Sequence, residues 1–186
     1  MYIILSLIND ILDIAKIEAG KRAFTDVEVD PARVAGEAMS FVEPMAHKAG
    51  VTLGTEIDGT LRLRADERAL TQILTNLLSN AVKFGRAGGY ATVFARLLPG
   101  GALALGVADN GIGMSEPDLD KALEFYGQAS DATTVEGRGT GLGLPIVKAL
   151  IEAHGAVFRI ESLTGEGTRV WGEFPSSRVI ATRAAA

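Results

Sequence analysis

The sequence predicts a two-layer α/β sandwich of the α+β kind, in which a mixed, mostly antiparallel sheet carries helices on one face and a separate helix precedes it. Three observations point there. Short stretches of alternating apolar residues come largely as adjacent pairs rather than singly between helices, which favours antiparallel pairing over a doubly wound sheet. Longer stretches repeat apolar residues at three- and four-residue spacing, as helices do when one face is buried. The 186 residues, 47% hydrophobic and 22% charged, suit one folded domain with a short appendage.

The elements follow in order. From Ile4 through Leu7, Ile8, Ile11, Leu12 and Ala15 to Ala19 an apolar stripe runs along one side of a helix that Gly20 stops. Such a stripe needs a partner, either its own domain or a helical bundle shared between two chains. Asn9, Asp10, Asp13, Lys16 and Glu18 interrupt it, so it is neither a signal peptide nor a membrane span. Val27 and Val29 read as a short strand. Asp30 and Pro31 start a helix with Val34, Ala35, Ala38, Met39, Val42, Met45 and Ala46 on its apolar face, up to Gly50. Val51 to Ile57 alternates as a half-buried strand and Leu61 to Ala65 reads as its hairpin partner. Asp66 then caps a helix with Leu70, Ile73, Leu74, Leu77, Leu78 and Ala81 inward. Strands are expected at 91–97 and 102–108, a short helix near 117–124, a helix over 142–153, and strands near 157–162 and 168–174. Ser176 to Ala186 reads as a frayed tail. The expected division is thus a helix over 1–20, a domain over 24–175 and a tail over 176–186.

Charge and composition exclude several classes. A net charge of −5 argues against nucleic-acid binding, which needs a basic surplus. With no cysteine there is no disulfide framework, thiolate zinc site or cysteine nucleophile, and the cytoplasm is the expected location.

Four motifs carry chemistry. In N-L-L-S-N-A-V-K-F, Asn76, Asn80 and Lys83 recur on one helical face opposite the leucines. That face is either a solvated polar surface or a seat for a magnesium triphosphate, the amide oxygens being hard ligands and the lysine a point charge. In D-N-G-I-G-M, Asp109 ends a strand and Gly111 and Gly113 allow a tight turn. This is either an ordinary Asn-Gly turn or one acceptor at a pocket rim, suited to an exocyclic amine. In G-R-G-T-G-L-G-L, Gly137, Gly139, Gly141 and Gly143 surround Thr140 and Leu142 and lead through Leu144 into a helix. Open amides at such a helix start favour phosphate, while the dinucleotide fingerprint and the Walker sequence do not fit. In G-E-G-T, Gly165 to Thr168, a plain hairpin turn is the simplest reading.

Taken in this order, Asn76, the D-x-G-x-G at Asp109, the G-x-G-x-G at Gly139 and the G-x-G-T at Gly165 resemble the catalytic domain of histidine kinases. The wider superfamily of Bergerat-fold ATPases also holds gyrase B, MutL and the ninety-kilodalton heat-shock chaperones. The resemblance covers about residues 24–175. The opening I-N-D-I-L-D-I-A-K-I-E-A-G resembles the last turns of that family's dimerisation and phosphotransfer bundle. Other branches carry a glutamate where Asn76 stands, so its amide favours kinase over hydrolase.

The resemblance implies ATP and Mg2+ as cofactors. It assigns Asn80 to magnesium with Asn76 beside it, Lys83 to phosphate, and Asp109 to the adenine amino group with Gly113 on that wall. Gly111 belongs to the same turn. Gly139, Thr140, Gly141, Leu142, Gly143 and Leu144 close on the phosphates, and Thr168 stands near Asp109 through a water. Residues 115–138 are expected to form a lid. Its aromatic pattern departs from the family's, with Tyr126 before Gly127-Gln128 but Leu123 at the other aromatic position. Transfer of the γ-phosphoryl group to a histidine is the implied reaction. Neither His47 nor His154 has the acidic neighbour of an acceptor, so both are expected to be structural and the chain a fragment. Its implied partners are the phosphoacceptor bundle, a response regulator or histidine phosphotransferase, and a second copy in a homodimer. A nucleotide-binding module without phosphotransfer carries the same motifs, and an ATPase or serine kinase of the superfamily is the other alternative.

Overall fold

A computed structural model of the chain describes residues 23–124 and 141–180. The helix expected over 1–20, Tyr126 with Gly127 and Gln128, and Gly137, Gly139 and Thr140 lie outside the described residues.

Two helices start where their caps predict. The Asp30 carboxylate accepts from the Ala32 N–H at 2.9 Å ahead of α1 (Pro31–Ala49), and Gly50 ends it at φ 68°. The Asp66 carboxylate accepts from the Ala69 N–H at 2.9 Å ahead of α2 (Glu67–Lys83). Each such cap contributes about 1 kcal/mol. Leu70, Leu74 and Leu78 of α2 are fully buried, and burying a leucine stabilises by roughly 1.5–3 kcal/mol. The inward face of α2 therefore outweighs its caps and fixes its orientation, which in turn fixes where Asn76, Asn80 and Lys83 emerge.

The remaining elements are β1 (Asp26–Val29), β2 (Thr52–Ile57), β3 (Arg62–Asp66), β4 (Tyr90–Leu97), β5 (Leu103–Asp109), α3 (Glu116–Ala122), α4 (Gly143–Ala153), β6 (Val157–Leu163), β7 (Gly167–Phe174) and β8 (Val179–Ile180). Five strands form one sheet in the order β2-β4-β5-β7-β6. All its pairs are antiparallel except β2 with β4. Along β4, β5 and β7 the residues Ala91, Val93, Ala95, Leu103, Leu105, Val107, Val170 and Phe174 share one core with α1, α2 and α4. The alternate residues Phe94, Ala104 and Trp171 make a separate small cluster. The helices thus cover one face, as the period-two pattern requires.

Two expectations needed correction. The predicted β2–β3 hairpin does not form: β2 pairs in parallel with β4 from Thr52↔Tyr90 to Ile57↔Ala95. β3 instead joins a second sheet of order β1-β3-β8, antiparallel to β1 from Asp26↔Asp66 to Val29↔Leu63. The turn before β3, in which Asp58 accepts from the Thr60 N–H and hydroxyl, redirects the chain into the α2 cap rather than closing a ladder. Alternation identifies a strand and its buried face, but not which strand lies beside it. The tail is also partly ordered. Ser176–Arg178 forms a 3₁₀ turn, and Val179 and Ile180 pair with Leu63 and Arg62. Arg178 Nη1 donates to Asp26 Oδ2 at 2.9 Å and to the Arg64 carbonyl at 2.8 Å.

His154 is 1% exposed, as a structural residue would be, whereas His47 is exposed on α1. The ring nitrogen Nδ1 lies 2.7 Å from the Leu150 carbonyl, and Nε2 accepts from the Asp66 N–H at 3.2 Å. Those partners suit the neutral ring with the proton on Nδ1. Burial accordingly holds its pKa below 6.5.

Candidate functional site

Among the described residues, parts of the four motifs lie beside one another: Asn80 of α2 lies near Gly143, and Asp109 meets Gly111 and Thr168. On α2, Asn76, Asn80 and Lys83 are each half-buried. Asn76 Nδ2 is buried and, among the described residues, has no hydrogen-bond partner. An unsatisfied buried donor costs about 1–3 kcal/mol. Asn80 lies against the start of α4: a Cβ placed on Gly143 would sit 3.5 Å from Asn80 Nδ2 and 3.8 Å from Oδ1. The N-terminus of α4 has no side-chain cap and no acidic residue in its first turn, which leaves its amides suited to an anion. Burial lowers the Lys83 pKa from its usual 10.5, and its Nζ lies 4.8 Å from the Phe84 ring centre.

At the end of β5, Asp109 Oδ1 accepts from the Gly111 N–H at 2.8 Å and the Thr168 N–H at 3.3 Å. Burial pushes the carboxyl above its usual 3.8, against the pull of those two N–H groups. The Gly111 loop is bound to the end of α2 through the Ile112 N–H, which donates to the Phe84 carbonyl at 3.1 Å. Two glycines make the close approach possible. Gly113 has φ +64°, and a Cβ there would meet the Leu163 carbonyl at 2.0 Å. Gly167 has φ +115°, and a Cβ there would meet the Asp109 carbonyl at 2.0 Å. A side chain at either position would separate the β5 loop from the β6–β7 turn.

Several predicted residues thus meet and others do not. Asn80 and Gly143 face one another, as do Asp109, Gly111 and Thr168. Leu142 is 1% exposed and Leu144 packs against the core, so their side chains belong to the interior. Sequence reasoning missed Asn110, whose Oδ1 accepts from the Tyr90 N–H at 2.8 Å and closes the sheet beside the loop. It also missed Arg86, whose Nη2 donates to the Gly165 carbonyl at 3.1 Å and clamps the last turn. Ser162, the third omission, sits at an inward position of β6, where its Oγ accepts from the Met114 N–H at 2.8 Å. A separate groove between α1 and β2, lined by Met39, Glu43, His47 and Leu53, contains none of the motif residues. Among the described residues no cluster of His, Cys, Asp and Glu could hold a metal, and no helix is long and apolar enough to cross a membrane.

Residues 65–178 match the family described as histidine kinase-, DNA gyrase B- and HSP90-like ATPase. The chain belongs to this ATPase family. The domain is 38% identical over 187 residues to the cell-division control histidine kinase PdhS of Brucella canis, covering 96% of this chain and 18% of that protein. The ATPase domain therefore spans less than a fifth of the curated relatives it matches. Full-length ShkA in complex with AMPPNP superposes with a TM-score of 0.81 at 31% identity, over 98% of this chain and 37% of that one. The nucleotide-free catalytic domain of histidine kinase ThkA, with a TM-score of 0.69 at 22% identity over 82% of this chain and 97% of that one, shares the fold. This is an ATP-binding catalytic domain of the histidine kinase type.

Proposed function

We propose that the domain binds ATP with magnesium through its four motifs and transfers the γ-phosphoryl group to a histidine on a helix outside this chain. The observation that carries this is the buried Asn76 Nδ2, without a partner among the described residues, one helical turn from an Asn80 that lies against the open start of α4. The two amide oxygens suit magnesium and the amide hydrogens suit phosphate oxygens. Magnesium, when bound, neutralises charge on the phosphates. Lys83 adds a positive charge beside them, and the α4 amides and Gly141 to Gly143 orient the chain of phosphates. Asp109 accepts from the amino group of adenine and Thr168 stands beside it.

In the transfer itself, an imidazole nitrogen forms a bond to the γ-phosphorus as the bond to the β,γ-bridging oxygen breaks, and ADP leaves with that electron pair. Positioning and charge neutralisation dominate such a loose transition state, which fits a site of amides, one lysine and backbone N–H groups. The acceptor bundle, a response regulator or histidine phosphotransferase, a second copy in a homodimer and a cytoplasmic setting belong to the same proposal.

Calorimetry of this chain with magnesium-ATP tests it. The native chain is expected to bind, and Asp109→Ala and Asn80→Ala to weaken binding at least tenfold. A native chain that gives neither heat nor a thermal shift with ATP refutes the reading.

A further inference from the structure

The groove between α1 and β2 lies apart from the nucleotide motifs and beside an open sheet edge. β2 ends the five-stranded sheet, with β4 as its one neighbour among the described residues. The Thr52 N–H donates to the Gly89 carbonyl at 2.9 Å, which sets the phase of the ladder. Alternate residues of a parallel pair turn their backbone groups to the same neighbour, so Thr52, Gly54 and Glu56 face β4. The N–H and carbonyl of Leu53 and of Thr55 therefore point to the open side. Natural edges are commonly blunted by lysine, proline or a bulge. β2 has no lysine or proline, and its register with β4 runs unbroken from Thr52↔Tyr90 to Ile57↔Ala95.

The wall beside that edge suits a second backbone. Gly36, Met39, Ser40, Glu43 and His47 line it from α1 and Leu53 from β2, the helical residues forming one stripe at three- and four-residue spacing. Met39 and Leu53 pack partly on the core and give the groove an apolar floor. Gly36 sits inside α1, where glycine is disfavoured, yet a Cβ there would meet nothing within 4 Å. No packing among the described residues requires that glycine, whereas a chain lying in the groove needs the space it leaves. Pro44, also inside α1, has no N–H to give, so the Ser40 carbonyl lacks its usual helical donor.

Charge narrows the occupant. Glu43 on the wall and Glu56 on the opposite face of β2 are exposed, and neither enters an ion pair among the described residues. A strand laid along β2 thus meets a carboxylate on either face. A second copy paired about a two-fold axis would bring the same acidic edge against itself, which like charges oppose.

We propose that this groove takes an extended, basic segment of a partner protein, added to β2 as a sixth strand. The partner's backbone pairs with Leu53 and Thr55, its apolar residues at every second position rest on Met39 and Leu53, and its lysines or arginines meet Glu56 and Glu43. Main-chain bonds then supply affinity, and the alternate side chains supply selectivity.

The test titrates the nitrogen-15-labelled chain with the blocked peptide Thr-Val-Lys-Val-Lys-Val-Thr, followed by amide resonances and hydrogen exchange. Two control peptides carry glutamate for lysine, or N-methyl groups on every valine and lysine. The lysine peptide is expected to shift the Leu53 and Thr55 amides and slow their exchange by about tenfold at saturation. The methylated peptide should bind about tenfold more weakly for its lost hydrogen bonds, and the glutamate peptide about tenfold more weakly for its reversed charges. Gly36→Leu, a good helix former that fills the groove, should abolish binding. Glu43→Lys with Glu56→Lys should weaken the lysine peptide and strengthen the glutamate peptide, each by about fivefold. Affinity for magnesium-ATP should stay within about twofold in all these variants, as their sites lie outside the motifs. Unmoved Leu53 and Thr55 amides, equal binding of either control peptide, or full binding to Gly36→Leu overturns the proposal. So does a native chain that sediments as a dimer and turns monomeric with Gly36→Leu, since a second copy then fills the groove. Each of these results leaves the nucleotide reading as it stands.

Discussion

Asp109→Asn should move stability and nucleotide binding in opposite directions. In the native fold Oδ1 already receives two N–H groups, from Gly111 and Thr168. An asparagine oxygen receives the same two, so the turn keeps its bonds. What the substitution removes is the charge, and burial penalises that charge more than the two N–H groups reward it, since the net pKa shift is upward. A carboxyl raised in the folded state contributes stability that is present below its usual 3.8 and is lost as pH rises through the folded value. The amide does not titrate. The melting temperature of the variant should therefore equal or exceed that of the native chain at pH 7.5, and the difference should shrink or reverse as pH falls toward 4. Binding should suffer, because the amide places N–H donors where the amino group of adenine brings its own. Losing a charge-assisted hydrogen bond, worth about 1.5–3 kcal/mol, weakens affinity by roughly 10- to 150-fold at 1.4 kcal/mol per decade. Urea melts across that pH range and calorimetry with magnesium-ATP check both arms. A variant clearly less stable than the native chain at pH 7.5 would refute the electrostatic argument, and unchanged affinity would refute the acceptor role.

Asn76→Ala should leave the unliganded domain about as stable as before, because the deleted Nδ2 has no partner among the described residues. It should nonetheless abolish the thermal shift with ATP, which at a hundredfold excess over Kd is expected to be roughly 5–10 °C. Gly167→Ala meets both a φ of +115° and a carbonyl at 2.0 Å. It should cost about 3 kcal/mol or more, read as a melting temperature lower by roughly 6–12 °C. For His154, burial lowers the pKa, so its contribution is present above 6.5 and lost as pH falls through the folded value. Native stability measured in urea should decline between pH 7.5 and 5, and His154→Gln, less stable overall, should show a flatter profile.

Much of this was legible in the sequence because the decisive signals were local. Asp30 and Asp66 announce their helices by sitting one residue before them, and the leucines of α2 specify its buried face, which leaves Asn76, Asn80 and Lys83 on the other. The glycines of the β5 loop and the last turn mark close approach, although the sequence does not say to what; the contacts of Gly113 with Leu163 and of Gly167 with Asp109 span tens of residues. Strand partnership was illegible for the same reason. Leu63 and Ala65 are buried against whatever apolar surface arrives, and only the assembled fold places them beside β1 and β8. Ser162 escaped notice because one serine in an amphipathic strand has an ordinary solvent-facing explanation until its register with Thr168 is known.

The small sheet also has a mechanical consequence. β3 is held on one edge by β1, near the beginning of the described residues, and on the other by β8, at their end, and the Arg178–Asp26 ion pair ties β1 to the 3₁₀ turn that leads into β8. β3 then runs without a linker into the helix that carries Asn76, Asn80 and Lys83. Tension applied through the backbone at either end of this unit is therefore borne by the same five-residue strand. The first element in line behind that strand is the N-terminus of α2.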